Sequence, residues 1–268
     1  MKIEKNRTYL GDCLDLMKFV PDKKIDMILC DLPYGTTACK WDTIIPFDKL
    51  WERYERIIKD NGAIVLFASQ PFTSVLVSSN LKMFKYEWIW EKSKASNFLL
   101  AKKQVLKAHE NLLVFGKGSV VYYPQKTRGK PYSGEKRAGK KGSITDVYND
   151  VPNPTFRNGS EDGLRNPRSV QYFKTAESEG KTLHPTQKPI ALIEYLIKTY
   201  TKEGETILDN CAGSGTTGIG CLNTNRNYLM IEKEEKYYTI IGERILKWRK
   251  DNEEIQNNLC RPSLEIQK

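Results

Sequence analysis

Strand-like and helix-like segments alternate along most of this chain of 268 residues. Residues 25–30 are apolar almost throughout, as in a strand that is buried on both faces. Residues 46–59 carry their apolar side chains at the spacing of one helical face. Further strands are predicted at 63–67, 86–90, 111–115, 205–208 and 228–231, and further helices at 216–224 and 234–249. This alternation predicts an α/β fold, with a doubly wound, mostly parallel sheet covered by helices on both faces.

One segment, residues 117–182, interrupts the alternation. It is rich in Gly, Pro, Asn, Ser and charged residues, and its basic residues are interleaved with tyrosines. Lys and Arg occupy seven positions within 126–142, against a single acidic residue, Glu135. Such a surface suits phosphates and stacked bases. We therefore predict a loop-rich insertion at 117–182 between the segments 1–116 and 183–268, and a disordered basic loop is the alternative.

Charge and composition narrow the classes of partner and site. The formal net charge is +10 and the sequence pI is about 9.1, which is consistent with an anionic partner such as nucleic acid and equally with a basic protein that has none. No apolar run is long enough to span a membrane, and the N-terminus has no signal-peptide pattern. Six scattered cysteines and two histidines predict neither a metal site nor disulfides, so we expect reduced thiols and a cytoplasmic location.

The first motif is a glycine-rich turn between a predicted strand and a predicted helix. Residues 209–218 read DNCAGSGTTG, and glycines there let the backbone turn tightly and approach a ligand. Glu232 closes the following strand, where a carboxylate can accept hydrogen bonds from ribose hydroxyls. A nicotinamide cofactor and S-adenosylmethionine both fit this pattern. A turn that only packs a helix on a strand is the third interpretation.

The second motif follows the strand at 25–30 directly. Asp31, Leu32, Pro33 and Tyr34 place a carboxylate, a rigid proline and an aromatic ring within four residues. Ligands bind at the carboxyl ends of strands in open parallel sheets, so this position favours a site. An ordinary turn is the alternative.

The two motifs together resemble the amino-methyltransferases of DNA, which combine a D/N/S-P-P-Y/F tetrapeptide with a glycine-rich cofactor loop. The order resembles the permuted β group, in which the tetrapeptide comes first and the cofactor loop last. Further resemblances are GDC at 11–13, the segment 98–117 and HPTQKP at 184–189. Leu32 departs from the family, which usually has Pro there, but a backbone carbonyl is what the family uses at that position.

The resemblance implies S-adenosylmethionine as the cofactor, S-adenosylhomocysteine as its product and no metal. It implies a Rossmann-like fold with a catalytic half at 1–116, a target-recognition insertion at 117–182 and a cofactor-binding half at 183–268. The catalytic residues it implies are Asp31, Leu32, Pro33 and Tyr34. The cofactor-binding residues it implies are Asp12, Cys13, Asp31, Thr186, Lys188, Asp209, Gly213, Ser214, Gly215, Thr216, Thr217 and Glu232. Within this set, Thr186 and Lys188 are expected near the cofactor carboxylate.

Several functions are consistent with these residues. The leading hypothesis is methylation of adenine N6 in double-stranded DNA, because Asp at position 31 favours adenine and cytosine enzymes more often carry Ser there. Methylation of cytosine N4, methylation of RNA, a nicotinamide-dependent oxidoreductase and a non-catalytic DNA-binding protein are the alternatives. The resembled group often forms dimers, so a homodimer is also considered, whereas a membrane partner is not expected.

Overall fold

The computed structural model describes residues 2–37, 39, 42–132, 160 and 162–259, and it confirms the predicted α/β fold. The strands are β1 (Arg7–Leu10), β2 (Ile25–Asp31), β3 (Ile58–Ala68), β4 (Phe84–Ser96), β5 (Lys107–Phe115), β6 (Thr127–Arg128), β7 (Leu164–Arg165), β8 (Val170–Phe173), β9 (Thr206–Asp209) and β10 (Asn227–Glu232). The α-helices are α1 (Cys13–Leu16), α2 (Phe47–Ile57), α3 (Phe72–Ser79), α4 (Ile190–Tyr200), α5 (Thr216–Asn223) and α6 (Glu235–Leu259). Short 3-10 helices lie at Met17–Phe19, Phe98–Leu100 and Ala176–Glu179.

Eight of the strands form one sheet in the order β1-β10-β9-β2-β3-β5-β4-β8. In this sheet β5 runs antiparallel to both its neighbours, and the other neighbouring pairs are parallel. From the centre, β9 leads through α5 to β10 on one side, and β2 leads through α2 to β3 on the other. The strand order therefore reverses between β9 and β2, which is where open α/β sheets bind their ligands.

The sheet has a hydrophobic layer on each face. Because successive side chains of a strand point to opposite faces, β2 supplies Ile28 and Cys30 to one layer and Met27 and Leu29 to the other. Helix α2 covers the first layer, and α4, α5 and α6 cover the second. This double covering explains why residues 27–30 of β2 are all apolar instead of alternating with polar residues.

The boundary between the predicted helix at 46–59 and the predicted strand at 63–67 differs from the structure. The helix predicted at 46–59 is α2, which ends at Ile57 because Ile58 has an extended backbone. Ile58 is fully buried and pairs with Ile25, so β3 begins there and not at residue 63. Pairing with β2 therefore decides where the helix ends, although the apolar spacing of the sequence continues through Ile58.

The contacts divide the chain into two compact units, Met1–Tyr123 with Ser169–Lys268 and, separately, Pro124–Arg168. In the smaller unit β6 pairs with β7, and the Arg165 guanidinium lies 4.9 Å from the centre of the Tyr132 ring. The range predicted as an insertion, 117–182, is longer than this unit, since β8 and Ala176–Glu179 belong to the larger one. Residues 133–159 and 161, which include most of the predicted basic cluster, lie outside the described residues.

The described residues contain neither a membrane-spanning helix nor a cluster of metal ligands. None of the helices there is long and apolar enough to cross a bilayer. The same residues contain no group of three or more His, Cys, Asp or Glu side chains arranged to hold a metal ion. Cys13, Cys30, Cys39, Cys211 and Cys221 are free thiols.

Candidate active site

A cavity of about 840 Å³ opens at the carboxyl ends of β2 and β9, where the strand order reverses. This size lies within the range of about 300–1,000 Å³ that is typical of sites for small molecules. Five segments contribute much of its lining, namely 11–14, 29–34, 184–188, 209–214 and 232–234. Residues far apart in the chain therefore meet at the place that the two motifs predicted.

The glycine-rich loop between β9 and α5 depends on two glycines with left-handed backbone. Gly213 has φ +54° and Gly215 has φ +77°. A Cβ atom on Gly215 would also come within 2.9 Å of Ile241 Cγ1, so the close approach of α6 excludes larger residues there. Gly215 caps α5 and packs against α6, whereas Gly213 lines the cavity.

Two buried carboxylates at neighbouring strand ends hold this loop in place. Asp209 accepts hydrogen bonds from the Thr217 hydroxyl at 2.6 Å and from the Cys211 backbone N–H at 3.2 Å. Glu232 accepts from the backbone N–H groups of Gly213 at 2.7 Å and Glu234 at 2.8 Å. Burial raises the pKa of Asp209 to about 7 and also raises the pKa of Glu232.

The HPTQ segment before α4 contacts the same loop. The Gln187 side-chain oxygen accepts from the Ser214 hydroxyl at 3.1 Å and from the Leu183 backbone N–H at 3.0 Å. His184 Nδ1 accepts from the Thr186 backbone N–H at 3.2 Å, and burial lowers the pKa of His184 to about 4. At neutral pH this histidine is therefore uncharged and shapes the segment.

The residues predicted to bind the cofactor lie around this cavity, with one exception. Those that line it are Asp12, Cys13, Asp31, Thr186, Lys188, Asp209, Gly213, Ser214, Thr216, Thr217 and Glu232. Gly215 is absent from the lining because it faces Ile241. The predicted catalytic residues Leu32, Pro33 and Tyr34 line the cavity as well.

The tetrapeptide begins at the last residue of β2. The Tyr34 hydroxyl donates to Asp31 Oδ1 at 2.7 Å, and the Tyr34 ring stacks on Phe72 with centroids 4.8 Å apart and an interplanar angle of 22°. Leu32, which replaces the usual proline, is buried within the hydrophobic layer on the α2 side of the sheet. The packing of the Leu32 side chain therefore helps to fix the tetrapeptide, which lacks the rigid proline ring at this position.

Asp42 fixes the loop that follows the tetrapeptide, and the sequence motifs did not indicate it. Its carboxylate accepts from the backbone N–H groups of Gly35 at 2.8 Å, Thr36 at 2.9 Å and Thr37 at 2.6 Å. The side chain is buried and lines the cavity. Asp42 lies seven residues after Gly35, so the tetrapeptide pattern did not single it out.

Four largely buried charged side chains, one of them Asp31 of the tetrapeptide, meet at this end of β2. Lys188 Nζ lies 2.7 Å from Asp31 Oδ2 and 3.2 Å from Glu110 Oε2, and Lys92 Nζ lies 3.2 Å from Glu110 Oε1. Two ammonium groups and two carboxylates balance to zero net charge. We call Asp31, Lys188, Glu110 and Lys92 the charge quartet. Lys188 was expected near the cofactor carboxylate, and in the structure its ammonium contacts Asp31 and Glu110.

The quartet sets the charge of its members. Burial raises the pKa of Asp31, and the Lys188 ammonium opposes that rise. Burial alone would lower the pKa of Lys188, but Asp31 and Glu110 outweigh it and raise the pKa. Burial likewise acts against ionisation of Glu110, and the two lysines lower its pKa below the usual value. The Lys188 ammonium therefore limits a rise in the pKa of Asp31 that burial and the nearby Glu110 carboxylate produce.

Comparison with known sequences identifies the family. A sequence model of the DNA methylase family, covering N6- and N4-specific enzymes, matches residues 25–243. The chain is 26% identical over 257 residues to the Type II methyltransferase M1.MboII of Moraxella bovis, which covers 88% of this chain and 94% of that protein. It is 28% identical over 241 residues to the DNA adenine methyltransferase YhdJ of Escherichia coli (strain K12), which covers 85% of this chain and 78% of that protein.

Solved structures show the same fold. The M1.HpyAVI–SAM complex superposes with a TM-score of 0.61 at 24% identity, covering 89% of this chain and 98% of that one. The cytosine-N4-specific PvuII DNA methyltransferase also gives a TM-score of 0.61, at 15% identity, covering 90% of this chain and 86% of that one. A family match over residues 25–243, on a sheet whose switch point holds both motifs, shows that the chain belongs to the DNA methylase family of S-adenosylmethionine-dependent N6/N4 amino-methyltransferases.

Proposed function

We propose that the chain methylates the N6 amino group of an adenine that has been flipped out of double-stranded DNA. The observation that carries this proposal is the Asp31 carboxylate, which shares one cavity with the glycine-rich loop and with the Tyr34 ring. In that arrangement, a base amino group at Asp31 and a cofactor at the loop lie side by side.

The residues around the loop fit S-adenosylmethionine. Each carboxylate oxygen of Glu232 accepts one hydrogen bond from a backbone N–H group. The second lone pair on each oxygen can accept a hydrogen bond from a ribose hydroxyl. Gly213 brings the backbone to the cavity without a side chain, and Asp12 and Thr186 add polar groups on its wall. When bound, S-adenosylmethionine supplies an electrophilic methyl group on its sulfonium.

Replacing Glu232 with alanine is expected to weaken binding of S-adenosylhomocysteine by about tenfold or more. The change removes the ribose acceptor and leaves the backbone N–H groups of Gly213 and Glu234 without their carboxylate, and hydrogen bonds to a charged group contribute about 1.5–3 kcal/mol. Isothermal titration calorimetry measures the affinity. Glu243→Ala, an exposed change on α6, serves as the control, and equal affinities for the two variants would contradict the role of Glu232.

Asp31 and the backbone carbonyl of Leu32 would act on the target amino group. The lone pair of an exocyclic amino nitrogen is delocalised into the base, so this nitrogen is a poor nucleophile. Accepting hydrogen bonds from both of its N–H groups draws the nitrogen toward a tetrahedral, more nucleophilic geometry. The acceptors also stabilise the positive charge that develops on the nitrogen, which is electrostatic catalysis. Pro33 limits the backbone freedom of the segment that carries both acceptors.

Tyr34 would stack on the flipped base. Its ring already stacks on Phe72, so the base would stack on the opposite face of a ring that Phe72 supports. In the structure the Tyr34 hydroxyl occupies one lone pair of Asp31 Oδ1 and the Lys188 ammonium one lone pair of Oδ2, so the second lone pair on each oxygen stays available for an amino group. Stacking of a base on an aromatic ring contributes about 1–3 kcal/mol.

Lys188 would act as a positioning residue for Asp31. Its ammonium lies 2.7 Å from Asp31 Oδ2, and this side chain is only 10% exposed. The contact fixes the orientation of the carboxylate and opposes its protonation, which burial would otherwise favour. Glu110 pairs with Lys188, and Lys92 pairs with Glu110, so these three members of the quartet would orient the Asp31 acceptor without touching the base.

The choice of adenine over cytosine as the target base rests on one residue. Asp31 is the residue type that adenine enzymes of the family tend to carry in the tetrapeptide. Cytosine N4 has the same amino chemistry, and the fold is shared with a cytosine-N4-specific enzyme, so methylation of cytosine is the second candidate.

The wider assignments rest on charge and on the family. Double-stranded DNA is the proposed partner, with 117–182 as the target-recognition region between the catalytic half at 1–116 and the cofactor-binding half at 183–268. The net charge of +10 supports a polyanionic partner. We propose that the protein is cytoplasmic, forms a homodimer and acts beside a restriction enzyme. Sedimentation velocity would measure the mass of the assembly and so test the dimer.

Transfer of tritium from labelled S-adenosylmethionine to unmethylated plasmid DNA tests the proposal. We expect incorporation into plasmid DNA and none into an equal mass of ribosomal RNA. Incorporation into the RNA alone would contradict the proposed substrate class. Incorporation into neither, by protein that S-adenosylhomocysteine stabilises against heat, would favour a non-catalytic DNA-binding protein.

A further inference from the structure

The loop between β4 and β5 exposes an unusual concentration of large apolar side chains. Phe98 is 73% exposed, Leu99 is 86% exposed and Val105 is 88% exposed, and Leu100 and Leu106 are exposed as well. We call residues 97–106 the apolar loop. Single exposed apolar residues are ordinary on a protein surface, but several in one short segment mark a contact with a partner.

The charges around the apolar loop indicate a polyanion as that partner. Residues 92–109 contain five lysines and no acidic residue. Lys92 belongs to the charge quartet, whereas Lys94, Lys102, Lys103 and Lys107 are exposed. A symmetric contact with a second copy would place this lysine-rich surface against an identical one, where like charges repel. Phosphates of a nucleic acid would instead neutralise them.

The loop stands beside the cavity in which the proposed chemistry occurs. Ala95, Ser96, Asn97 and Phe98 all line that cavity together with Asp31 and Tyr34. Asn97 has a left-handed backbone with φ +70°, which turns the chain out of β4 into the loop. Phe98 therefore lies at the edge of the site, and Leu99 lies one residue farther into solvent.

We propose that Phe98 and Leu99 form a wedge that enters the base stack of duplex DNA where the target base leaves it. The lysines of the apolar loop contact the flanking phosphates. This proposal rests on the proposed function, because a wedge is needed only by an enzyme that extrudes its base. Apolar side chains inserted between base steps unstack them partially, and burial in the stack removes from water the surface that the free protein exposes.

A comparison of two duplexes tests the wedge. Both carry the site mapped by methylation of plasmid DNA, with the target base opposite its normal partner in one and opposite an abasic position in the other. Opening costs least where no partner base is present, so the wedge matters most for the paired duplex. For the double variant Phe98→Ala/Leu99→Ala we expect kcat/KM to fall about tenfold or more on the paired duplex. On the abasic duplex it should stay within about twofold of the unmodified protein.

Leu81→Ala is the matched control, since Leu81 is 67% exposed and precedes the opposite end of β4. It should leave both values unchanged. Equal losses on the two duplexes, or no loss on either, would overturn the wedge. A change in sedimentation mass of the double variant would also overturn it, in favour of a contact between copies.

Two further measurements separate this proposal from the proposed function. The first is the affinity of the protein for each duplex, measured by fluorescence anisotropy with S-adenosylhomocysteine present. The ratio of the affinity for the paired duplex to that for the abasic duplex then reports on base opening without any methyl transfer. Lys102→Gln/Lys103→Gln should reduce the slope of log affinity against log salt by about two, and an unchanged slope would contradict the phosphate contacts. An unmodified protein that methylates no DNA refutes the proposed function. Variants that leave the binding ratio unchanged refute the wedge alone.

Discussion

Replacing Asp31 with alanine is expected to lower the rate of methyl transfer about 10³-fold or more. The change removes the side-chain acceptor for the target amino group, and the loss of one preorganised electrostatic partner typically costs about 10²–10³ in kcat. It also removes the carboxylate that Lys188 and Tyr34 hold in place, so the remaining groups lose their geometry. Tritium transfer under single-turnover conditions measures the effect on the chemical step.

Binding separates this loss from a loss of folding. Affinity for S-adenosylhomocysteine and for DNA should stay within about threefold of the unmodified protein, because neither depends mainly on this side chain. Asp31→Asn keeps one acceptor oxygen and should retain more activity than Asp31→Ala. Asp251→Ala, an exposed change on α6, provides the control. Transfer by Asp31→Ala at the rate of this control would refute the role of Asp31.

Replacing Lys188 with methionine is expected to lower kcat about 10²-fold, as small displacements of a catalytic group can do. Because the Lys188 ammonium lowers the pKa of Asp31, its removal raises that pKa further. A protonated Asp31 accepts a hydrogen bond from the target amino group more weakly than the carboxylate does, so activity falls as the pH drops through the pKa of Asp31. The acidic limb of the pH–rate profile therefore moves to higher pH in Lys188→Met.

Two results distinguish this role from direct binding of the cofactor. If Lys188 positions Asp31, the KM for S-adenosylmethionine changes little while kcat falls. If Lys188 instead bound the cofactor carboxylate, the KM would rise and the acidic limb would stay in place. Either a raised KM or an unmoved limb would contradict the positioning role.

A second substitution tests the charge balance of the quartet. Lys188→Met leaves Asp31 and Glu110 buried with Lys92 as their one cation in the quartet, and an uncompensated buried charge is strongly destabilising. Adding Glu110→Gln restores zero net charge among the remaining groups. We expect the double variant to regain most of the melting temperature but not kcat. A double variant less stable than Lys188→Met would contradict this account of the quartet.

The sequence predicted the central strands and helices of the larger unit because their apolar patterns are strong. Strand β2 is apolar on both faces, and α2 and α6 carry one-sided patterns. Other elements carry weaker signals. Helix α3 is short and contains Thr, Val and Ser, so contacts of Phe72 and Leu76 with the core stabilise it more than propensity does. Strand β8 is a half-exposed edge strand within a segment whose composition predicts loops.

The site was predictable where a residue follows a strand. Asp31 and Asp209 end β2 and β9, and parallel strands bring such ends to the same edge of a sheet. The contact of Lys188 with Asp31 and Glu110 was not predictable in this way. Glu110 lies on β5, which is inserted antiparallel between β3 and β4. This insertion places Glu110 near Lys188, and no local sequence pattern reveals it.

The identity of the methylated nucleoside tests the central claim most directly. Unmethylated plasmid DNA is incubated with the protein and S-adenosylmethionine, digested to nucleosides and analysed by mass spectrometry. We predict N6-methyladenine, and its absence after Asp31→Ala. N4-methylcytosine would contradict the base assignment and keep the amino-transfer mechanism. Neither nucleoside, from folded protein that binds S-adenosylhomocysteine, would contradict the claim that this chain is an active amino-methyltransferase of DNA.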